Sequence, residues 1–441
     1  MMREALRWLG YLILTTFAII AIVFAAYRIR GPSRAQRDAL ALMEKDYRPK
    51  QGTNAFPLLW YVEYDVPADE IATRFAAEVK SAPMSFELKD EKKPAATRLP
   101  EADGDPAPLC ERSGTGCLAK VEADPAAMRA VLATYPVIRG RAKAFEAADY
   151  YWNDFPAYSI AVLTATPVVP QRVWLSAYAL QFAEGDHAGA LAGTCANLGA
   201  WRRMHRGTNS LVSSMGAISF TEGAIRLFAD ELAALPAGEA VPEACQHALE
   251  PIEAADVDRC AEMAGEFDFL RRSYVWQSGQ RSDGATSWSE RAGLWILFYM
   301  PQWEAWTAEI DARSCEEPPV SMLMDQPRSR STVSNTEKLE CISSVMACMM
   351  SDLVAPALDH YDARTLDYAA HLRLAATLLW LREHPSPAPM EQRIEQRPDA
   401  LRSGRRATGY DAKNGILFVT DPHGSVDEPF RLAVAVTRAA P

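Results

Sequence analysis

The sequence predicts a mainly α-helical protein with an N-terminal transmembrane helix, an antiparallel helical body and a small C-terminal antiparallel β-hairpin or sheet. Three observations carry this expectation. From Leu9 to Tyr27 no residue is charged, and at about 1.5 Å per residue such a run nearly crosses a hydrocarbon layer of roughly 30 Å. Between residues 124 and 384 apolar positions recur at helical spacing, punctuated by Pro, Gly and Asp. After Pro385, Pro387 and Pro389, two strand-like runs, 405–411 and 416–420, flank Lys413-Asn414-Gly415, and Asn-Gly between strands is a strong hairpin signal.

Arg3 and Arg7 precede the apolar run, Arg28, Arg30, Arg34 and Arg37 follow it, and Trp8 and Tyr27 stand where interfacial aromatics belong. A cleaved signal peptide would have an apolar core of about 7–15 residues. Val23 and Ala25 offer only a weak cleavage pattern, so residues 1–30 read as a short tail and an uncleaved anchor. The more basic C-terminal flank would place the body in the cytoplasm under the positive-inside rule. Cysteine usage points outward and is given the greater weight. The expectation is a single-pass protein of the bacterial inner membrane with its soluble region in the periplasm.

The eight cysteines are Cys110, Cys117, Cys195, Cys245, Cys260, Cys315, Cys341 and Cys348. No CxxC pair occurs, which leaves zinc ribbons and thioredoxin-like sites without support. Cys110 and Cys117 bracket a loop with two glycines that can fold back into disulfide range. Cys245 and Cys260 lie symmetrically about Pro251, and a helical hairpin there would pair them. Cys341 and Cys348 on one helix would stand about 10.5 Å apart, beyond the limit of about 7 Å. They are therefore expected to reach other segments, with Cys315 and Cys195 as candidates.

Four regions follow: 1–30, the tail and anchor; 31–123, a juxtamembrane and loop-rich stretch; 124–384, the helical body; and 385–441, a Pro-rich break and a small β module. Residues 34–46 are charged and amphipathic. Asn54–Val62 reads as extended chain or a short strand, a helix starts near Pro67 with Asp65 as its cap, and 81–108 is a long exposed loop. Asp124-Pro125 opens a helix that Pro136 divides. Residues 171–184 and 187–205 form two helices separated by Gly185-Asp186. This unit has the size of one tetratricopeptide hairpin, but without further copies an ordinary antiparallel pair is the better reading. Helices continue at 208–234, 243–249, 254–275, 288–313, 336–354 and 359–384, with a polar loop at 314–335. The run Leu294–Met300 is too short to span a membrane, and with Trp288, Trp295, Trp303 and Trp306 it reads as core packing. A third strand is expected at Phe430–Thr437.

The late helix Leu366–Glu383, the Pro-rich break, and a hairpin bearing Tyr410-Asp411 and Gly415-Ile416-Leu417-Phe418 resemble a loose set of uncharacterised bacterial single-pass envelope proteins. The resemblance covers mainly the two chain ends and implies no activity and no site residues.

The formal net charge of -11 provides no basic field, so nucleic acid is not an expected partner. Among seven histidines there is no HExxH, and His360 and His371 on one helix would be about 16 Å apart. Asp359-His360-Tyr361-Asp362 reads as an acidic helix start. No metal site and no cofactor fingerprint are present in the sequence, so no cofactor is expected. Ser213-Ser214-Met215-Gly216 and Ser219–Gly223 lack a nucleophile motif and suit close helix packing. Arg202, Arg203 and Arg206 follow Trp201 at a helix C-terminus and match its dipole; their alternative role is an anion or carboxylate site. Glu222, Glu231, Glu262 and Glu266 lie on helices, where two could meet across a cleft as in sugar-cleaving enzymes.

No catalytic residue is assignable. The expected role is a binding or scaffold component of the envelope, held by residues 9–27 in the lipid bilayer and engaging another envelope protein or a polymer through the loops 81–108 and 314–335. The alternative is a periplasmic hydrolase of envelope polymers using helix-borne carboxylates, and a third reading is a purely structural assembly factor.

Overall fold

The apolar N-terminal run folds as helix α1 (Met2–Arg30). Its stretch Leu6–Arg30, with mean hydropathy 2.4, is long and apolar enough to cross a membrane and has no buried residue. The computed structural model describes residues 2–82, 94–103, 107–156, 167–283, 288, 299–315, 341–404, 406–420 and 429–434. Gly31, at φ 64, turns the chain after α1. Ser33 and Gln36 then form a capping box that starts α2 (Arg34–Met43).

Asn54–Val62 is not extended. It contains helix α3 (Phe56–Trp60), because the Asn54 side chain accepts from Phe56 N at 3.0 Å and Pro57 falls in the first turn, where no backbone donor is needed. Helix α4 (Ile71–Lys80) starts later than expected, and Asp65 does not cap it; its backbone N–H donates to Thr97 O at 2.8 Å. Much of the 81–108 loop lies outside the described residues. Its described part includes a bridge between Tyr64 and Arg98 and a 3-10 turn at Pro100–Asp103. Short helices α5 (Cys117–Ala123), α6 (Pro125–Leu132), α7 (Pro136–Gly140) and α8 (Ala142–Glu146) follow. Asp124 caps α6 through Ala127 N at 2.9 Å, and Pro136 opens α7.

The centre is built from α9 (Val168–Ala183), α10 (His187–Arg206) and α11 (Leu211–Ala234). Gly185, at φ 95, reverses the chain and Asp186 caps α10 through Gly189 N at 3.0 Å. Trp201 packs between Phe145 and Phe220 at ring separations of 4.5 and 4.6 Å, which joins α8, α10 and α11. One hydrophobic core runs from Phe56 through Trp174 to Leu432, so residues before 124 and after 385 pack with the helical body. Helix α12 (Glu243–Ala248) lies on α10. In place of a helix from 254 there is a 3-10 turn, Ala254–Asp256, and then α13 (Cys260–Asp283). Helix α14 (Met300–Ala312) packs with α13 against the buried face of α2, around Ala39, Met43, Phe267 and Ala308.

Apart from Tyr299 and Met300, the run Leu294–Met300 lies outside the described residues, as does 314–335 beyond Cys315. Trp303 and Trp306 are buried side by side, whereas Trp288, expected in the core with them, is 77% exposed, and Trp295 lies outside the described residues. The two helices expected at 336–354 and 359–384 are one, α15 (Val345–Glu383), with Pro356 inside it. Asp359–Asp362 is therefore helix interior and not a helix start. Strands β1 (Thr408–Asp411), β2 (Ile416–Val419) and β3 (Phe430–Ala433) form an antiparallel sheet in that order. Asp411 holds the hairpin turn by accepting from Lys413 N at 3.0 Å, and Gly415 takes φ 65. Leu417, Val419, Phe430 and Leu432 bury the sheet's inner face, which lies on α11 and α15.

All eight cysteines are paired. Cys110–Cys117 closes its Gly-containing loop. Cys245 bonds Cys195, with Cα atoms 4.8 Å apart, and Cys260 bonds Cys315. The expected Cys245–Cys260 pairing is thus corrected: no helical hairpin forms about Pro251, α12 lies directly on α10, and the start of α13 lies beside the end of α14. The expectation against Cys341–Cys348 is corrected as well. Helical rise does not separate them, because the helix begins only at Val345 and Cys341 sits in a 3-10 turn, leaving the Cα atoms 5.4 Å apart.

Non-reducing peptide mapping checks this connectivity. It is expected to recover Cys195 linked to Cys245 and no Cys245–Cys260 peptide. Replacing both Cys195 and Cys245 by Ala is expected to lower unfolding free energy by about 2–4 kcal/mol.

Candidate functional site

The basic run at the end of α10 meets an internal anion. Arg202 donates to Asp256 through Nε at 2.8 Å and Nη2 at 2.7 Å. Arg206 forms a second fork with both its contacts at 2.7 Å. Burial would raise the Asp256 carboxyl, but the hydrogen bonds and charge of the two guanidiniums overcome it and hold the group well below the usual carboxylate range. Arg202 also donates to the carbonyls of Ala248, Glu250 and Pro251, pinning the connection from α12 to α13. Arg203 turns elsewhere, to the carbonyls of Ala148 and Glu146 at 3.0 and 2.6 Å. The three arginines therefore do not converge on an open anion site; Asp256 already occupies the two that do converge.

Beside this clamp runs a sealed hydrogen-bond chain. His205 Nε2 lies 3.0 Å from Asp256 O, His205 Nδ1 lies 2.9 Å from Ser214 Oγ, and Ser214 Oγ lies 2.8 Å from Glu262 Oε1. A carbonyl only accepts, so Nε2 carries the proton. Burial lowers the His205 pKa to about 4, so the ring is neutral and Nδ1 is an acceptor. The Ser214 hydroxyl must then donate to Nδ1, and its lone pair accepts from the protonated form of Glu262, which burial favours by raising its pKa to about 7 against the ion pair with Arg259. Ser214 and His205 have the spacing of a nucleophile and its base. They are 0% and 1% exposed, so in this structure the pair is closed to solvent. Arg259, equally buried, pairs with Asp362 and so links α13 to α15.

The remaining sequence candidates are also spoken for. His371 Nδ1 lies 2.9 Å from Glu222 Oε1, and the His371 ring stacks on Phe430 at 3.7 Å, joining α11, α15 and β3. Glu231 accepts from Thr194 at 3.1 Å between α10 and α11, and burial raises its pKa to about 8. Among the described residues no group of three or more His, Cys, Asp or Glu is placed to hold a metal ion.

An open cleft of about 640 Å³ lies elsewhere. One wall is the end of α2 and the chain after it, Met43–Tyr47. The second is Trp152–Pro156, and the third is the first half of α13, from Ala261 to Arg272. Asn209 closes one corner: its side chain accepts from Asn153 N at 2.9 Å and donates to Asn153 O at 3.0 Å. Gly265 lets α13 approach so closely that a Cβ there would overlap the Asn209 carbonyl oxygen. Tyr47, Trp152 and Phe269 are half-buried in the lining. Asn153 is buried and its Nδ2 has no acceptor among the described residues.

The lining carries five carboxylates, from Glu44, Asp46, Asp154, Glu266 and Asp268, against Lys45, Arg271 and Arg272, so its balance is acidic. Burial raises the pKa of Asp154, against the ion pair with Arg48, and also that of Glu266, against its bond from Leu211 N. Of the four helix-borne glutamates, only Glu266 reaches this cleft. Asp154 was not singled out from the sequence; its one signal is the mixed aromatic and polar stretch from Tyr150 to Phe155.

Two outcomes test these assignments. Glu262→Gln keeps a donor toward Ser214 and is expected to be neutral near pH 4.5. Stabilisation from the protonated Glu262 carboxyl is complete below its ordinary value of 4.5 and is lost as pH rises through about 7. The variant is therefore expected to be more stable than the parent at pH 8 in urea titrations, and a loss at both pH values would show that Glu262 is ionised. Gly265→Ala is expected to cost about 1–3 kcal/mol by overpacking. Gly140→Ala, with nothing within 4 Å of the added carbon, is expected to be neutral or to add about 0.4–1 kcal/mol; paired thermal melts distinguish them.

No family model, no curated protein and no solved structure matches the chain.

Proposed function

We propose that the protein is a membrane-anchored binding component of the bacterial envelope, with its soluble region in the periplasm and its ligand held in the cleft between α2, Trp152–Pro156 and α13. One observation carries the reading: half-buried aromatic faces stand beside carboxylates and a buried amide in an open cleft joined to the anchor through α2. Aromatic faces stack on the apolar faces of sugar rings or on peptide side chains, and carboxylates and amides accept and donate to hydroxyls. The acidic balance disfavours anionic ligands and favours a neutral or cationic segment rich in hydroxyl groups. Paired cysteines support an oxidising compartment.

Hydrolysis of the same ligand is the second reading, because Asp154 and Glu266 share the cleft and burial raises the pKa of both. It ranks second because each already has a protein partner, Arg48 and Leu211 N respectively.

Co-sedimentation of the detergent-solubilised full chain with insoluble cell-wall glycan tests both. Binding is expected without release of soluble reducing ends, and Trp152→Ala is expected to weaken it about tenfold, the equivalent of ~1.4 kcal/mol. Release of reducing ends that Glu266→Gln abolishes would establish the hydrolase instead. No sedimentation of the parent, or an unaltered Trp152→Ala variant, would remove the cleft from the binding role.

A further inference from the structure

We propose that the body does not stand clear of the bilayer: the turn Cys341–Ser344 and the first turns of α15 sit in the headgroup–acyl boundary beside the anchor, with Val345 and Met349 facing lipid. The proposal rests on reading α1 as a membrane span.

The argument begins on α1. Val23, Phe24, Tyr27 and Arg28 are half-buried while Ile22, Ala25 and Ala26 are exposed, so one stripe of the helix is covered by protein. The cover is the body itself. Arg28 donates to Ser343 O through Nε at 3.1 Å and Nη2 at 3.0 Å. Its guanidinium also lies over the rings of Phe24 at 4.2 Å and Tyr299 at 4.7 Å. Tyr299 N in turn donates to Ser344 Oγ at 2.8 Å, and Cys341–Ser343 packs on α1.

The covered stripe reaches back from Arg28 to Val23, about 7.5 Å along the helix axis. The uncharged run Leu9–Tyr27 is about 28 Å long, only just enough for a hydrocarbon layer of roughly 30 Å. Lifting Val23–Tyr27 into water to accommodate the body would leave about 21 Å of apolar helix. The same slide would draw Arg7 and then Arg3 into the hydrocarbon on the other side. The turn Cys341–Ser343, packed on this end of α1, therefore lies at the depth of the interface, where apolar side chains typically sit about 5–10 Å into the boundary.

The chemistry of that segment fits the position. From Cys341 to Ser351 no residue is charged. Val345 and Met349, one helical turn apart, are 44% and 59% exposed. The Cys341–Cys348 disulfide staples the first turns of the helix to the Cys341–Ser343 turn that Arg28 holds. Arg28 and Arg30 at the end of α1 meet the headgroups at the same level.

A photoreactive benzophenone amino acid, placed singly at Phe17, Val345, Met349 or Val137 of the full chain in phospholipid nanodiscs, tests this. All four sites are exposed, which limits the cost to folding. Phospholipid adducts are expected at Phe17, Val345 and Met349, and none at Val137. Lipid adducts at Phe17 with none at Val345 and Met349, or with protein–protein adducts there, would overturn the interfacial placement and leave the anchor standing. No lipid adduct at Phe17 would overturn the anchor reading and the placement together.

Discussion

Asp256 is buried between two guanidinium forks, and much of the molecule is arranged to keep it there. A carboxylate out of water is costly unless its charge and lone pairs are met. Here Arg202, Arg206 and the Glu253 N–H all meet it. Removing the carboxylate would leave Arg202 buried without its counter-charge, a loss on the order of 3–5 kcal/mol. The clamp fixes more than one ion pair. Through Arg202 it holds the connection from Ala248 to Pro251, and through the carbonyl of Asp256 it orients His205 and so the chain to Ser214 and Glu262. The start of α13 is thereby set against α10 and α11.

The position of α13 then decides the cleft. Gly265 brings α13 against the Asn209 turn, and Asn209 holds Asn153 and with it the wall that carries Trp152 and Asp154. On its other side α13 meets α14 and α2, with Cys260–Cys315 tying α13 to the end of α14. Helix α1 is joined to the same assembly twice, by the three residues between α1 and α2 and by Arg28 on Ser343. For the proposed binding role this coupling matters more than tethering alone. A flexible tether raises local concentration, whereas a packed one, with α1 in a bilayer as proposed, would also hold the cleft at a set height and orientation.

The buried titratable groups on these helices serve as links between them. Glu231 and Glu262 are driven toward their protonated forms by burial, His205 is held neutral, and Glu222 is engaged by His371. Each bridges two helices. A neutral carboxyl both donates and accepts, so it can complete a hydrogen-bond chain that an apolar side chain would leave open.

The sequence determined whatever depends on local pattern. The uncharged run at Leu9–Tyr27 defines α1, Asp124-Pro125 and Gly185-Asp186 set helix ends, and Asn414-Gly415 marks the hairpin, because these signals act within a few residues of chain. It misread Asn54–Val62, where Asn54 accepts from Phe56 N and a short helix forms, and it placed a break between 354 and 359 inside the single helix α15. Disulfide partners separated by 50 and 55 residues were beyond it, since spacing says nothing about which helices lie side by side. The same reason hid the meaning of Arg202 and Arg206 and the cleft itself. A basic helix end looks alike whether its anion is a ligand or a buried Asp256, and Asp154 and Glu266 come together only because the long-range packing of α13 makes them neighbours.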